Sequence, residues 1–337
     1  MLYPARSILA IDRSPFGQSL ALLPVMRALR ASYPKSLLVA AAPSGTCELL
    51  SAGGLVDEAL SLGVVKLSDH GRSGGLKRLL RLAGGARRQG FDVVLDFSPS
   101  LETLVVSRLV MRARVFTAYR LPRLISVLLD PGGTSRADPA ISSDYANVLQ
   151  QLGVEMNDVR LAITPSVEED ARFEHRLESS GSRGGELIVL LYASNPGSRR
   201  SWPVDAFGEI GTRLANNFNA RIVAVDEPSD HAFSRAVSPL LPTGAIKLAE
   251  PRALELIAAI ARASVVISDE PAIARIASEL GTPVIEIADT LSAAASSSTA
   301  HRIALGSSRR RVSPDEVYEI AGEMIQENRS PSLFRRS

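Results

Sequence analysis

A chain of 337 residues, 45% of them apolar, exceeds one ordinary hydrophobic core and suits two domains of roughly 150 residues each. The formal net charge is only +2 and the basic residues are spread along the chain, so no concentrated cationic face points to a nucleic-acid partner, and none is expected. The single cysteine, Cys47, excludes an intramolecular disulfide and a Cys-based zinc cluster and fits a reducing compartment.

In chain order, strand-like apolar runs alternate with helix-like ones, the pattern of parallel βαβ units. Ser7 to Asp12 (SILAID) predicts a strand, Arg13 to Gln18 (RSPFGQ) a turn, and Ser19 to Ala31 a helix. Because Asp12 and Arg13 interrupt the first apolar run, the N-terminus does not read as a signal peptide, and a cytoplasmic location is expected. No apolar run approaches the roughly 20 residues of a membrane-spanning helix. Leu37 to Ala41 predicts a strand, Cys47 to Ala52 a short helix and Glu58 to Leu62 a weaker strand. Gly74 to Gln89 has helical periodicity with an exposed Lys/Arg face, which reads as solvated surface. Asp92 to Phe97 (DVVLDF) is the clearest strand of this half, followed by a helix from about Leu101 to Met111, a strand from Arg114 to Tyr119 and a helix from Asp144 to Leu152.

The composition shifts from Asn157 to Gly185, where Pro165, an acidic patch at Glu168 to Asp170 and the run SSGSRGG read as a linker. The alternation then restarts. Strands are predicted at Glu186 to Tyr192, Ala220 to Val225, near Ile246, Ser264 to Ser268 and Thr282 to Ile287. Helices are predicted at Pro203 to Asn216, about His231 to Leu241, Arg252 to Ala263 and Ala272 to Leu280. A last helix, Ser313 to Gln326, opens with Ser-Pro-Asp-Glu, an N-cap, a proline at the first helical position and acids against the helix dipole. The expected division is therefore residues 1–156, a linker at 157–185, a second domain at 186–327 that includes the terminal helix, and a flexible tail at 328–337.

Two doubly wound domains suit several chemistries, so the loops must separate them. After the first strand a nicotinamide enzyme would carry G-x-G-x-x-G, whereas this chain has only Gly17 in DRSPFGQS. G-x-x-x-x-G-K-[ST] and H-E-x-x-H are also absent, and the four histidines (His70, His175, His231, His301) have no ligand spacing. No cofactor and no metal are expected.

The order of elements and several loops resemble glycosyltransferase family 9, the lipopolysaccharide heptosyltransferases. The stretch ILAIDRSPFGQSLALLPVMRALRASYP, residues 8–34, is similar to the family's N-terminal block of strand, basic residue, short loop ending in Gly-Asp, apolar stretch to a Pro, and Arg-x-Leu-Arg helix. FDVVLDF at 91–97 and RARVFTAY at 112–119 are similar to two further family strands. In the second half, NPGSRRSWP at 195–203 resembles the donor-side Pro-Gly-Ala/Ser and Lys-x-Trp-Pro stretch, with Arg200 where the family places its Lys. VAVDEPSD at 223–230 resembles "gGpxE", and SDEPAIARIASELGTPV at 268–284 resembles "sNDTGPMHLAAALGTPV".

The resemblance implies an α/β, GT-B-like fold, two Rossmann-like doubly wound domains facing across a cleft, the first on the acceptor side and the second on the nucleotide-sugar side. It implies inverting transfer of a heptose-like sugar from a nucleoside diphosphate sugar such as ADP-heptose to a glycolipid or lipopolysaccharide-core acceptor, with peripheral contact at the inner membrane. Carried over residue by residue, it places Gln18 where the family has its general base, Arg13 and Gly17 in the acceptor-side loop, and Ser198, Arg199, Arg200, Asp230, Glu270, Ala272 and Arg275 around the donor.

An amide does not titrate near neutral pH, so Gln18 cannot act as the base; Asp12 and Asp96 are candidate replacements by position. The family's Asp-Thr-Gly-Pro-Met-His has become Glu270-Pro271-Ala272-Ile273-Ala274-Arg275. A glutamate thus stands at a helix mouth that would otherwise offer N–H groups to a diphosphate, and Pro271 removes one donor. Three readings stay open: an active glycosyltransferase with altered base or donor, a catalytically impaired relative that binds a nucleotide sugar or a partner protein, and a sugar-nucleotide epimerase of the same fold.

Overall fold

The computed structural model describes residues 2–14, 16–62, 90–98, 114–117, 141–158, 160–182, 185–193, 201–226, 232–249, 251–287, 302–305 and 312–329. The basic helix expected at 74–89 and the helix expected at 101–111 lie outside these. The chain divides into two compact units, Met1–Ala162 and Ile163–Ser337.

Unit 1 is built on β1 (Ser7–Ile11), β2 (Leu37–Ala42), β3 (Glu58–Ser61), β4 (Val93–Asp96) and β5 (Arg114–Thr117), in the spatial order β3-β2-β1-β4-β5. Every pairing is parallel, with Ile8 in register with both Leu38 and Val93. All five residues of β1 are buried, as a strand flanked on both sides and covered on both faces requires, which is why it reads as an uninterrupted apolar run. Leu9, Ile11, Val39, Ala41, Phe91 and Val94 form one core cluster of the unit.

Unit 2 repeats the plan with β6 (Ile188–Tyr192), β7 (Arg221–Val225), β8 (Ile246–Leu248), β9 (Val265–Ser268), β10 (Val284–Ile287) and β11 (Arg302–Leu305). The order, β8-β7-β6-β9-β10-β11, is again wholly parallel. Its core joins Phe207, Ile210 and Leu214 of the helix Val204–Phe218 to Val317, Ala321, Met324 and Ile325 of the terminal helix Pro314–Arg329.

The N-cap reading of that last helix holds: the Glu316 N–H donates to Ser313 Oγ at 3.2 Å. Arg213 fastens it from outside, with Nη1 2.7 Å from Asp315 Oδ1 and the guanidinium 4.2 Å from the centroid of the Tyr318 ring. Gly281, at φ 74°, ends the helix Pro271–Leu280 in the left-handed conformation that glycine adopts without steric cost.

The stretch expected as a linker contains a 13-residue helix, Val167–Ser179, within unit 2. Glu168, Glu169 and Asp170, the acidic patch read as part of that linker, occupy its first turn, where the helix dipole favours acids. Two of them, Glu169 and Asp170, also face arginines far along the chain. Glu169 is buried and accepts from Arg172 at 3.0 Å and from Arg252; Asp170 is held by Arg262 Nε and Nη2 at 2.6 and 2.8 Å; Arg176 pairs with Glu255 at 3.0 Å. These pairs join the helix to Ala253–Arg262. The hydrogen bonds from Arg262 hold the Asp170 carboxyl below its ordinary range. Composition suggested a linker because the partners lie 79 to 92 residues away, beyond the reach of any local pattern.

Two further elements were not expected. Phe16–Ser19 forms a short helix that overlaps the predicted turn Arg13 to Gln18, and β11 adds an edge strand to the second sheet.

Candidate functional site

In doubly wound sheets a ligand meets the carboxyl ends of the strands where the strand order reverses. That point lies between β1 and β4 in unit 1 and between β6 and β9 in unit 2.

In unit 1 the chain leaves β1 as Asp12-Arg13-Ser14 and leaves β4 as Phe97-Ser98. The Arg13 N–H donates to Ser98 Oγ at 2.6 Å, joining the two exits, and the Ser98 N–H returns to Asp96 Oδ1 at 3.2 Å. Asp12 turns inward and is fully buried. Its Oδ1 accepts the Ser14 N–H at 2.9 Å, and its Oδ2 accepts the Tyr145 hydroxyl at 2.6 Å. The Tyr145 ring stacks on Phe97, with centroids 4.8 Å apart and planes 13° from parallel.

Asp96 is buried as well, so neither carboxylate considered as a replacement base offers surface to a substrate in this arrangement. Gln18, by contrast, is exposed on the short helix between buried Phe16 and Ser19, with Gly17 partly covered beside it. Ser19 anchors that helix, its Oγ donating to the Phe16 carbonyl at 2.9 Å and lying 2.5 Å from Thr46 Oγ1. Tyr145 was not singled out in the sequence, because it stands 133 residues from its partner and shares a helical stripe with Val148, Leu149 and Leu152 that reads as plain core.

Burial raises the Asp12 carboxyl above its ordinary range, outweighing the Tyr145 and Ser14 hydrogen bonds that act the other way. A folded-state value above the unfolded one means that the folded protein holds this proton longer, so the group costs stability as pH rises from the unfolded value through the folded one. Asp12→Asn removes the titration while keeping a carbonyl for the Ser14 N–H and an amide that can donate to the Tyr145 oxygen. Its midpoint in urea, compared with wild type at pH 4.5 and pH 7.5, is expected to move in the variant's favour at the higher pH. A difference that shrinks as pH rises would show that the carboxylate is stabilised as an anion.

In unit 2, Ser198, Arg199, Arg200 and Asp230 lie outside the described residues. At the β9 exit the Glu270 N–H donates to Ser268 Oγ at 3.0 Å, and its carbonyl accepts the N–H groups of Ile273 and Ala274 at 3.1 and 3.2 Å. Pro271 opens the helix Pro271–Leu280, Ala272 is buried, and Arg275 Nε lies 3.7 Å from Glu279 Oε1, one turn further from the helix mouth. The positive charge expected there from Arg275 is thus shared with an acid on its own helix.

Two acids that the sequence reading passed over organise this edge. Asp269 Oδ2 accepts both the Ser201 hydroxyl at 2.8 Å and the Trp202 N–H at 3.0 Å. Asp226, buried at the end of β7, accepts the Ser234 N–H at 2.7 Å and the Ser234 hydroxyl. A cavity of about 280 Å³ lies at the opposite, amino-terminal edge of this sheet. In its wall Arg221 donates to Glu186, Gly244 and Gly181, an arrangement that ties three chain segments together. Among the described residues, no helix is long and apolar enough to cross a membrane.

Two wholly parallel doubly wound units, one five-stranded and one six-stranded, make this an α/β protein, and the solved structures that resemble it along almost its whole length give it the GT-B fold. No protein-family model matches the chain, and no curated protein matches it by sequence. Solved structures do. The glycosyl transferase family 9 protein from Veillonella parvula is similar with a TM-score of 0.76 at 16% identity, over 97% of this chain and 99% of the other. The E. coli ADP-heptose lipopolysaccharide heptosyltransferase II gives 0.69 at 15%, over 96% and 100%, and the E. coli heptosyltransferase WaaC with ADP-2-deoxy-2-fluoro heptose gives 0.64 at 14%, over 96% and 100%. At these identities the likeness is one of fold.

Proposed function

We propose that this chain is a glycosyltransferase that takes a heptose-like sugar from a nucleoside diphosphate sugar and passes it to a hydroxyl of a lipopolysaccharide-core or related glycan. The observation that carries this reading is the near end-to-end match of both units to heptosyltransferases, one of them solved with an ADP-heptose analogue. The match to the UDP-GlcNAc 2-epimerase of Neisseria meningitidis is poorer, with a TM-score of 0.53.

In the reaction the acceptor oxygen attacks the anomeric carbon as the bond from that carbon to the diphosphate oxygen breaks. The nucleoside diphosphate leaves with the electron pair, and the acceptor proton passes to a base. Arg199 and Arg200 are proposed to meet the growing charge on the diphosphate, Arg200 as a planar fork in place of a lysine. With Gln18 at the base position, the proton must leave by way of water, and transfer is slow. The second reading, a nucleotide-sugar-binding module without turnover, draws on the same glutamine and on Glu270-Pro271 at the helix mouth.

Thermal-shift measurements with ADP, ADP-heptose and UDP-GlcNAc test the donor assignment, since a ligand that binds only the native state raises its melting temperature by mass action. Stabilisation by ADP and ADP-heptose is expected; stabilisation by UDP-GlcNAc alone would overturn the heptosyl reading, and silence with all three would overturn the nucleotide site. Arg200→Ala is expected to weaken ADP binding by about 1.5–3 kcal/mol, the scale of a charge-assisted hydrogen bond. An unchanged dissociation constant by calorimetry would remove Arg200 from the site.

A further inference from the structure

Each unit has a hydrogen bond from a backbone N–H in the stretch between its first central strand and the following helix to a side chain at the exit of the neighbouring strand, Arg13 to Ser98 in unit 1 and Trp202 to Asp269 in unit 2. The second is the more elaborate. One carboxylate oxygen, Asp269 Oδ2, takes the Trp202 N–H and the Ser201 hydroxyl together, although 67 residues separate Asp269 from Trp202. Trp202 is secured on its far side too: its indole N–H donates to the Val312 carbonyl at 3.0 Å, and its ring meets Phe207 edge-on at 4.8 Å. The chain at Ser201–Trp202 is therefore pinned from the β9 exit by a charged acceptor, and from the segment before the terminal helix by the indole.

We infer that Asp269 is a positioning residue for a nucleoside diphosphate. By holding Ser201 and Trp202, which directly follow Arg200 in the sequence, near the start of the helix Pro271–Leu280, it fixes the point from which the run proposed to meet the diphosphate departs. The inference rests on the donor-site reading given above. Asp269 itself is not assigned to touch the ligand. A carboxylate beside a diphosphate repels it, and this one directs its Oδ2 at protein donors, so what it contributes is register rather than attraction. The charge strengthens both hydrogen bonds, and holding binding groups in place beforehand lowers the ordering cost of association.

The chain contains one tryptophan, so its emission reports on this joint alone. Asp269→Ala and Asp269→Asn are compared with wild type by tryptophan emission, far-ultraviolet circular dichroism and ADP titration in the full-length chain. In Asp269→Ala the emission maximum is expected to move to longer wavelength as water reaches the loosened indole, and the ADP dissociation constant to rise by about tenfold or more, the scale of losing a hydrogen bond to a charged group. Asp269→Asn keeps an acceptor oxygen for the Trp202 N–H and is expected to restore both readouts most of the way.

An unshifted emission in Asp269→Ala would overturn the joint. A shifted emission with unchanged ADP affinity would overturn the positioning role and leave an architectural contact. A wild type that does not bind ADP, together with a shifted emission in the variant, would overturn the donor-site reading and confine Asp269 to folding. If Asp269→Ala loses its circular dichroism signal, Asp269→Asn and Ser201→Ala carry the test. Emission and ADP affinity close to wild type are expected from the asparagine variant. Ser201→Ala is expected to give a smaller rise in the dissociation constant, because the Trp202 bond remains. An asparagine variant as impaired as the alanine one would overturn the role of the acceptor oxygen.

Discussion

Gln18→Asp is expected to raise transfer of heptose from ADP-heptose to a lipopolysaccharide-core acceptor by about 10²–10⁴-fold, the usual contribution of a positioned general base. Four features support the proposed reading of Gln18 at the base position. It follows Gly17 directly, it is exposed on the short helix that leaves β1, the buried Ser19 beside it fixes that helix, and the two other carboxylates near this edge, Asp12 and Asp96, are buried. Because the position is exposed, the substitution should change stability by no more than about 0.5 kcal/mol, so a gain in rate can be read as chemistry. The assay compares wild type and variant with the same donor and acceptor, following release of ADP. Wild-type turnover that Gln18→Asp leaves unimproved would show that another group takes the acceptor proton. Tight ADP binding with no turnover in either protein would favour the binding-module reading.

Phe207→Ala is expected to cost about 3–5 kcal/mol of stability, the range for deleting a fully buried aromatic ring. Phe207 meets Trp202 edge-on at 4.8 Å on one side and Phe233 at 5.1 Å on the other, so its ring links the helix Val204–Phe218 to both flanking segments. The cavity left behind would be lined on two sides by large rigid rings that cannot collapse into it, which keeps the cost at the high end. Urea unfolding followed by Trp202 emission reads this loss directly, since the tryptophan lies in the same unit. A lower midpoint with an unchanged denaturant slope is the expected result. A change under about 1 kcal/mol would mean that the surrounding rings repack. A variant that stays folded should also bind ADP more weakly, because Trp202 loses one of its supports.

Much of the architecture could be read from the sequence because parallel strands covered on both faces must be apolar throughout. SILAI, LLVAAA, VVLD, IVLLY, RIVAV and VVIS stand out as such runs, and the helices between them carry a one-sided apolar stripe. Alternation of the two patterns implies βαβ units, and the restart after residue 185 implies that the plan occurs twice. The start of the terminal helix was legible for a local reason, since an N-cap acts within a single turn.

What the tertiary structure alone decided depends on residues distant in sequence. Four-residue β11, RIAL, gains its place from parallel pairing with β10, since so short a run has no distinctive period. The acids of 168–170 looked like linker until Arg252 and Arg262 met them across the helix Ala253–Arg262. The same holds at the candidate site. Asp12 read as an available carboxylate, but burial beneath Tyr145 turned it inward, and Asp269 carried no signal in the sequence until the fold brought Ser201 and Trp202 to it. Residue type and local period determine which element forms and which face it buries. Whether a polar side chain at an element's end meets solvent or a partner more than 60 residues away depends on strand order, which no local pattern in the chain encodes.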